Sequence, residues 1–311
     1  MTHSFTLIIC TYNRCQNLKV TFESLIKQEC DWDSVAEIIV VDNNSKDGTA
    51  KLIDSYASSF KTKLIHLKEL QQGKSYALNL AIKESQGDVL AFTDDDVILD
   101  AHWLDEIIRF FNTNEVDVLG GRVLPEYPSQ TPQWVKDNQY NLRGPIVSYD
   151  LGEDIIAYHS GKITDFIGAN VIYRKNVFDK VGLYNTDLGV GRGTLSEDTE
   201  MFARAVKAGE RIFYNGKALV WHPVVLKRLT LSYIAKWNYQ HGKSTAFLDP
   251  VINKQEVPTI AGIPRHLYKC IFIKFFELTA ILFDPRSFFK KWCSFYYNLG
   301  MFIGYAKGKH Q

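Results

Sequence analysis

The first hundred residues alternate between short, uniformly apolar runs and segments whose apolar residues recur every three or four positions. Phe5–Cys10 (FTLIIC), Glu37–Val41 (EIIVV) and Val89–Thr93 (VLAFT) have the length and composition of buried strands, and Lys63–Leu67 reads as a further strand. Between them, Asn17–Gln28 places Leu18, Phe22, Leu25 and Ile26 at helical spacing, and Ala50–Phe60 and Ser75–Ser85 read as further helices. Strands with no polar face, separated by helices, predict a mostly parallel α/β sheet covered on both sides. Asn43-Asn44-Ser45-Lys46-Asp47-Gly48-Thr49 is turn chemistry that offers several caps for the second helix. In such sheets ligands collect where strands end at their carboxyl edge. The polar clusters after Cys10, Val41 and Thr93 all fall on that edge.

Beyond residue 100 the pattern loosens. Pro125–Pro145 holds four prolines and reads as a long excursion. Phe166–Tyr173 predicts a strand, Ser196–Ala208 a helix opening on acids, and Arg211–Val220 a strand followed by Trp221-His222-Pro223. From Arg265 onward 13 of 47 residues are aromatic, against 13% for the whole chain. Here His266–Phe283 and Ser287–Tyr305 predict two amphipathic helices parted by Asp284-Pro285. Neither offers ~18 residues free of charge, so no transmembrane span is expected. These patterns divide the chain into a domain over residues 1–225, with a nucleotide-binding half (1–100) and an acceptor half (101–225), and a helical extension over 226–311.

Of the 311 residues, 46% are hydrophobic and 23% charged, an ordinary globular balance. A formal charge of +1 gives no reason to expect a nucleic-acid partner. That average hides an asymmetry: residues 265–311 carry +6 and the remainder −5. A basic, aromatic tail on an acidic body suggests an anionic membrane surface as its neighbour, the alternative being a helical pair packed on the domain or in a dimer. Five cysteines without CxxC spacing argue against a disulfide framework or zinc site and fit a reducing cytoplasm, with a peripheral place on the inner face of the cell membrane. Phe5–Cys10 runs straight into polar Thr11-Tyr12-Asn13-Arg14, which is not a signal-peptide layout.

Two acidic clusters carry the candidate chemistry. Asp94-Asp95-Asp96 closes an apolar strand, and carboxylates so close repel unless a cation or strong donors compensate. Asp94 and Asp96, on alternate positions, are hard ligands suited to Mg²⁺ or Mn²⁺; a solvated, helix-capping turn is the plainer reading. In Ser196-Glu197-Asp198-Thr199-Glu200, acids in a first turn suit the helix dipole, and Ser196 with Glu200 makes an adequate cap. Equally, Asp198 or Glu197 could take a proton from an attacking hydroxyl, with the glycine-rich Gly189–Gly193 as a closing loop. His222 is either structural or a further metal ligand. Gly73-Lys74-Ser75 precedes a helix and could face a phosphate, though it lacks P-loop spacing.

The ordered set Ile8-Ile9-Cys10-Thr11-Tyr12-Asn13-Arg14, Glu37–Thr49, Gly73-Lys74-Ser75-Tyr76-Ala77-Leu78-Asn79, the Asp run within Phe92–Val97 and Ser196–Glu200 resembles glycosyltransferase family 2, on the GT-A fold. The resemblance runs from about Thr6 to Pro223, with Cys10 where the family usually has proline. It implies that Thr11, Tyr12 and Asp42 border the base, with Asp42 accepting from uracil. It further implies Lys74 and Asn79 near the nucleotide, and Asp94 and Asp95 toward ribose or sugar. Asp96, with Asp94 and His222, would hold Mn²⁺ or Mg²⁺ on the diphosphate. Gly168, Ala169 and Asn170 would line the sugar pocket, Asp198 would be the general base, and Glu197 would bind hydroxyls.

The implied reaction moves a sugar from a nucleotide-diphosphate sugar, UDP-linked by preference, to a saccharide or lipid-linked acceptor with inversion, as in polysaccharide or glycolipid synthesis. A sugar-phosphate nucleotidyltransferase should instead show a glycine-rich, Arg-containing loop where Thr11–Cys15 has no glycine. A non-catalytic nucleotide- or membrane-binding scaffold would have little use for both acidic clusters.

Overall fold

The apolar runs form the sheet that their composition predicts. In the computed structural model, which describes residues 3–189, 195–253, 258–279 and 288–307, β1 (Phe5–Thr11), β2 (Val35–Asp42), β3 (Lys63–Lys68) and β4 (Val89–Asp94) pair in parallel in the order β3-β2-β1-β4. Between them run α1 (Cys15–Ile26), α2 (Thr49–Ser55) and α3 (Lys74–Glu84). β1 and β2 are buried almost throughout, as strands covered on both faces must be. α2 stops earlier than its periodicity suggests, because Tyr56 and Phe60 turn onto Phe22, with ring centroids 5.2 and 5.4 Å away.

The sheet continues through β5 (Ile98–Leu99), β6 (Val118–Glu126), β7 (Ile155–Ala157), β8 (Asn170–Arg174) and β9 (Ile212–Pro223), with α4 (Trp103–Thr113) after β5. Its order is β3-β2-β1-β4-β8-β6-β9-β5, and β7 also pairs with β9. β8 lies antiparallel between β4 and β6, whereas β6 and β9 are parallel. Two expected strand limits differ. Phe166–Ala169 is a turn, with Asn170 N–H donating to the Ile167 carbonyl, and β9 runs on through His222 instead of ending before it.

Register puts the chemistry on one rim. Thr11 is level with Asp42, and Cys10 is level with both Val41 and Asp94. The polar clusters after β1, β2 and β4 therefore emerge side by side at the carboxyl edge.

This sheet belongs to a compact unit of Met1–Glu126, Val147–Thr186 and Glu197–Val224, which also holds α7 (Lys175–Val181) and α8 (Glu197–Lys207). A second unit comprises Tyr127–Ile146, Asp187–Ser196 and Val225–Gln311. It contains the short α5 (Gln133–Asp137) and α6 (Arg143–Ile146), then α9 (Leu231–Asn253), the hairpin of β10 (Thr259–Ile260) and β11 (Ile263–Pro264), α10 (Arg265–Thr279) and α11 (Phe288–Lys307). α9 and α11 touch backbone to backbone at Gly242 and Gly300. A Cβ on either would stand 2.0 or 2.1 Å from the carbonyl oxygen of Tyr297 or Tyr239. Asp284-Pro285 lies outside the described residues. Among those described, no helix is long and apolar enough to cross a membrane.

Candidate active site

β4 delivers Asp94 to the rim, and the chain turns at once into β5, where Ile98 pairs with Trp221 of β9. That pairing carries His222 to the Asp run: its Nε2 lies 3.5 Å from Asp96 Oδ1, with both side chains largely buried. His222 is thus an in-strand residue, and not the post-strand residue that the pattern suggested.

Two cations meet the carboxylates. Arg14, immediately before α1, places Nη1 2.5 Å from Asp96 Oδ2 and 3.1 Å from Asp95 Oδ1. Burial pushes the Asp95 carboxyl up to about 6 against the pull of Arg14. Lys74 begins α3 after Gly73, whose φ of +144° favours glycine. Asn43 holds that turn by accepting from Gly73 N–H at 2.8 Å. Lys74 Nζ reaches Asp94 Oδ1 at 2.9 Å and Glu197 Oε1 at 3.9 Å. Burial alone would lower the ammonium pKa, but Asp94, Asp198 and Glu197 outweigh it and raise the pKa well above its usual value.

The acidic pair opens α8. Ser196 sits at φ +81°, a conformation that costs a non-glycine residue about 1–3 kcal/mol. Glu200 does not fold back to cap the helix; it takes Arg204 Nε and Nη2 at 2.8 and 2.7 Å, which removes the expected capping box. Asp198 Oδ2 accepts from Gly168 N–H at 3.0 Å. Burial first, then the charges of Glu197 and Asp94, push the Asp198 carboxyl up to about 7, although Lys74 pulls the other way. Behind it stand the buried Tyr173 and Tyr184, whose phenols feel the Asp198 charge and are themselves pushed up by burial.

Not every predicted residue joins this group. Asp94, Asp95, Asp96, Lys74, His222, Glu197, Asp198 and Gly168 are brought together. Thr11 and Asp42 lie buried on the same rim, where Asp42 Oδ1 accepts from Ser45 N–H at 2.8 Å, and Tyr12 is 44% exposed. Asn79 is committed elsewhere, exchanging two 2.9 Å hydrogen bonds with the Tyr184 backbone. Asn170 is committed too: its amide serves Trp103 Nε1 and the carbonyls of Arg122 and Ala218. The Ala169 carbonyl accepts from Thr93. Of the glycine loop, residues 190–194 lie outside those described. Arg14, Tyr173 and Tyr184 had not been singled out from the sequence.

A divalent cation fits the Asp96–His222 end. Carboxylate oxygen suits either Mn²⁺ or Mg²⁺, whereas an imidazole nitrogen beside it favours the transition metal, Mn²⁺, and these two donors already face each other. His222 Nδ1 has no hydrogen-bond partner among the described residues, so nothing there fixes its tautomer. No group of three or more His, Cys, Asp or Glu side chains is gathered at ligand spacing among the described residues. A cation held here would therefore need waters and phosphate oxygens to complete its shell.

Gly168 offers a direct test of the Asp198 geometry. A Cβ there would lie 2.5 Å from Asp198 Oδ2 and 2.7 Å from Oδ1, so Gly168→Ala must displace the carboxylate. Displacement by about 1 Å costs on the order of 10² in rate. We expect kcat to fall by about that factor with a small change in donor KM; an unchanged kcat would separate Asp198 from the chemistry.

Residues 6–182 match the Glycosyl transferase family 2 profile. The chain belongs to that family. It is 24% identical over 250 residues to the glucosyl-dolichyl phosphate glucuronosyltransferase of Haloferax volcanii, covering 78% of this chain and 77% of that one. The succinoglycan biosynthesis protein ExoM of Rhizobium meliloti is likewise 24% identical, over 76% of this chain and 72% of its own. Among solved structures, a Pyrobaculum calidifontis mannosyltransferase in complex with GDP-Man and Mn²⁺ aligns with a TM-score of 0.62 at 16% identity, over 100% of this chain and 89% of that one. S. aureus TarS 1–349 in complex with UDP-GlcNAc aligns at 0.54 and 17%, over 92% and 75%. The fold is GT-A, and the protein is a glycosyltransferase.

Proposed function

We propose that this enzyme transfers a sugar from a nucleotide-diphosphate sugar to an acceptor hydroxyl by a metal-dependent single displacement that inverts the anomeric carbon. The observation that carries this reading is the buried Asp198 carboxylate, pushed up to about 7 and held by Gly168 N–H beside Glu197, Lys74 and the Asp run. A general base works best with a pKa near the working pH.

Roles follow from position. Thr11, Tyr12 and Asp42 border the nucleoside base at the ends of β1 and β2. A carboxylate at Asp42 matches a ring N–H of uracil, which favours a UDP-sugar. Lys74 and Asp94 address the diphosphate and its sugar, with Asp95 steadied behind them by Arg14. Asp96 would hold the cation together with Asp94 and His222. When bound, that cation offsets the charge developing on the diphosphate leaving group. Asp198 removes the proton from the acceptor hydroxyl as the oxygen attacks the anomeric carbon opposite the leaving diphosphate. Glu197, paired with Lys74, binds a sugar hydroxyl.

The acceptor class follows the relatives' names, one dolichyl-phosphate-linked and one in succinoglycan synthesis. We assign a saccharide or lipid-linked saccharide, made on the cytoplasmic side of a membrane. Release of UDP from a panel of UDP-sugars, with GDP-mannose as comparison, tests the donor class. Turnover of none of them with Mn²⁺ present would overturn the reading.

A pH dependence follows. Protonation of Asp198 removes the base, so kcat/KM should fall about tenfold per pH unit below about 7. A profile flat from pH 5 to 8 would assign proton removal to another group.

A further inference from the structure

We propose that the face shared by α10 and α11 docks on an anionic phospholipid bilayer surface. This deepens the lipid-linked acceptor reading, on which its purpose rests. α10 exposes Phe272, Phe275 and Phe276 at 65, 54 and 53%, with Tyr268 and Ile273 also exposed. Soluble proteins seldom leave so many large apolar side chains together in water. Beside them, α10 and α11 enclose an apolar groove of about 400 Å³, walled by Ile271, Phe275, Phe295, Leu299, Phe302 and Ile303.

The charge around this face selects the occupant. Arg265, Lys269, Lys290 and Lys307 are exposed on the two helices. The one acidic side chain described on either helix, Glu277, is paired with Lys274 at 2.9 Å. At ~100° per residue, Arg265 and Lys269 fall beside Phe272 and Phe276 on α10, and Lys307 beside Ile303 on α11. Aromatic side chains rimmed by cations suit the boundary between headgroups and acyl chains, and anionic lipid complements the rim. A second copy of the chain would set cations against cations, which disfavours it. Among the described residues α10 runs for 15 residues, about 22 Å, and no described helix is long and apolar enough to cross a membrane, which favours a place in the interface plane.

The test is co-sedimentation of the full chain with vesicles of phosphatidylcholine containing phosphatidylglycerol, and with pure phosphatidylcholine. We expect binding to the anionic vesicles, weakened by salt, and at least tenfold less to neutral ones. Phe272→Ser combined with Phe276→Ser should lower binding to anionic vesicles at least tenfold. Arg265→Glu combined with Lys269→Glu should erase the preference for them. Calorimetric UDP binding should persist in both variants, which separates loss of docking from loss of fold. A wild type that ignores anionic vesicles while binding UDP overturns this proposal and leaves the transferase reading intact. So does concentration-dependent dimerisation, seen by light scattering, that the phenylalanine substitutions abolish. Vesicle binding with no nucleotide binding would do the reverse.

Discussion

Asp198→Asn should lower kcat by about 10²–10⁴ while making the ligand-free protein more stable at neutral pH. The two effects have one cause. Burial and the neighbouring Glu197 and Asp94 charges push the Asp198 carboxyl from 3.8 to about 7 in the folded protein. Between those values the folded state holds a proton that the unfolded state has released. The stability linked to this group is therefore present in full below about pH 4 and is lost as pH rises through about 7. Asparagine keeps an acceptor for Gly168 N–H and carries no charge, so it relieves a cost on the order of a few kcal/mol above pH 7. Melting curves of both proteins at pH 5 and pH 8 check this: the advantage of the variant should be larger at pH 8. A variant less stable than wild type at pH 8 would mean that Lys74 and its surroundings favour the charged carboxylate.

Asp96→Ala should raise the Mn²⁺ concentration needed for half-maximal activity by about 10–100-fold or more, the scale on which even supporting groups tune metal sites. Asp96 is the carboxylate that both His222 and Arg14 approach, at 3.5 and 2.5 Å. Its removal takes away an oxygen donor and frees Arg14 from one partner. His222→Ala should move the same constant in the same direction by less, because an imidazole ligand brings the cation no negative charge. Titrating Mn²⁺ at saturating donor reads both. An unchanged requirement in Asp96→Ala would place the cation elsewhere.

Much of the sheet was legible because β1, β2 and β4 are apolar on both faces, and their short length and β-branched content set them apart from a buried helix. The convergence of the clusters after Cys10, Val41 and Thr93 was legible too, since parallel pairing levels the carboxyl ends. What sequence could not supply was register across distant segments. The two-residue strand Ile98–Leu99 is too short to signal itself, yet its pairing with β9 is what brings His222 to Asp96. Phe166–Ala169 has strand composition, but glycine at 168 lets the chain turn so closely on Asp198 that no side chain fits. Asn79 and Asn170 look like ligand-binding amides in sequence. In the fold, buried backbone groups and an indole claim them, as unsatisfied buried polar groups are costly. Arg14 stood in the family-like opening without a role of its own, because only folding shows which carboxylates it meets.

The measurement that bears most directly on the central claim is calorimetric titration of UDP, with GDP alongside, in the presence and absence of Mn²⁺. The account predicts UDP binding that strengthens with Mn²⁺, and an Asp96→Ala protein in which that strengthening is lost. A folded protein that binds neither nucleotide with or without the metal would contradict it.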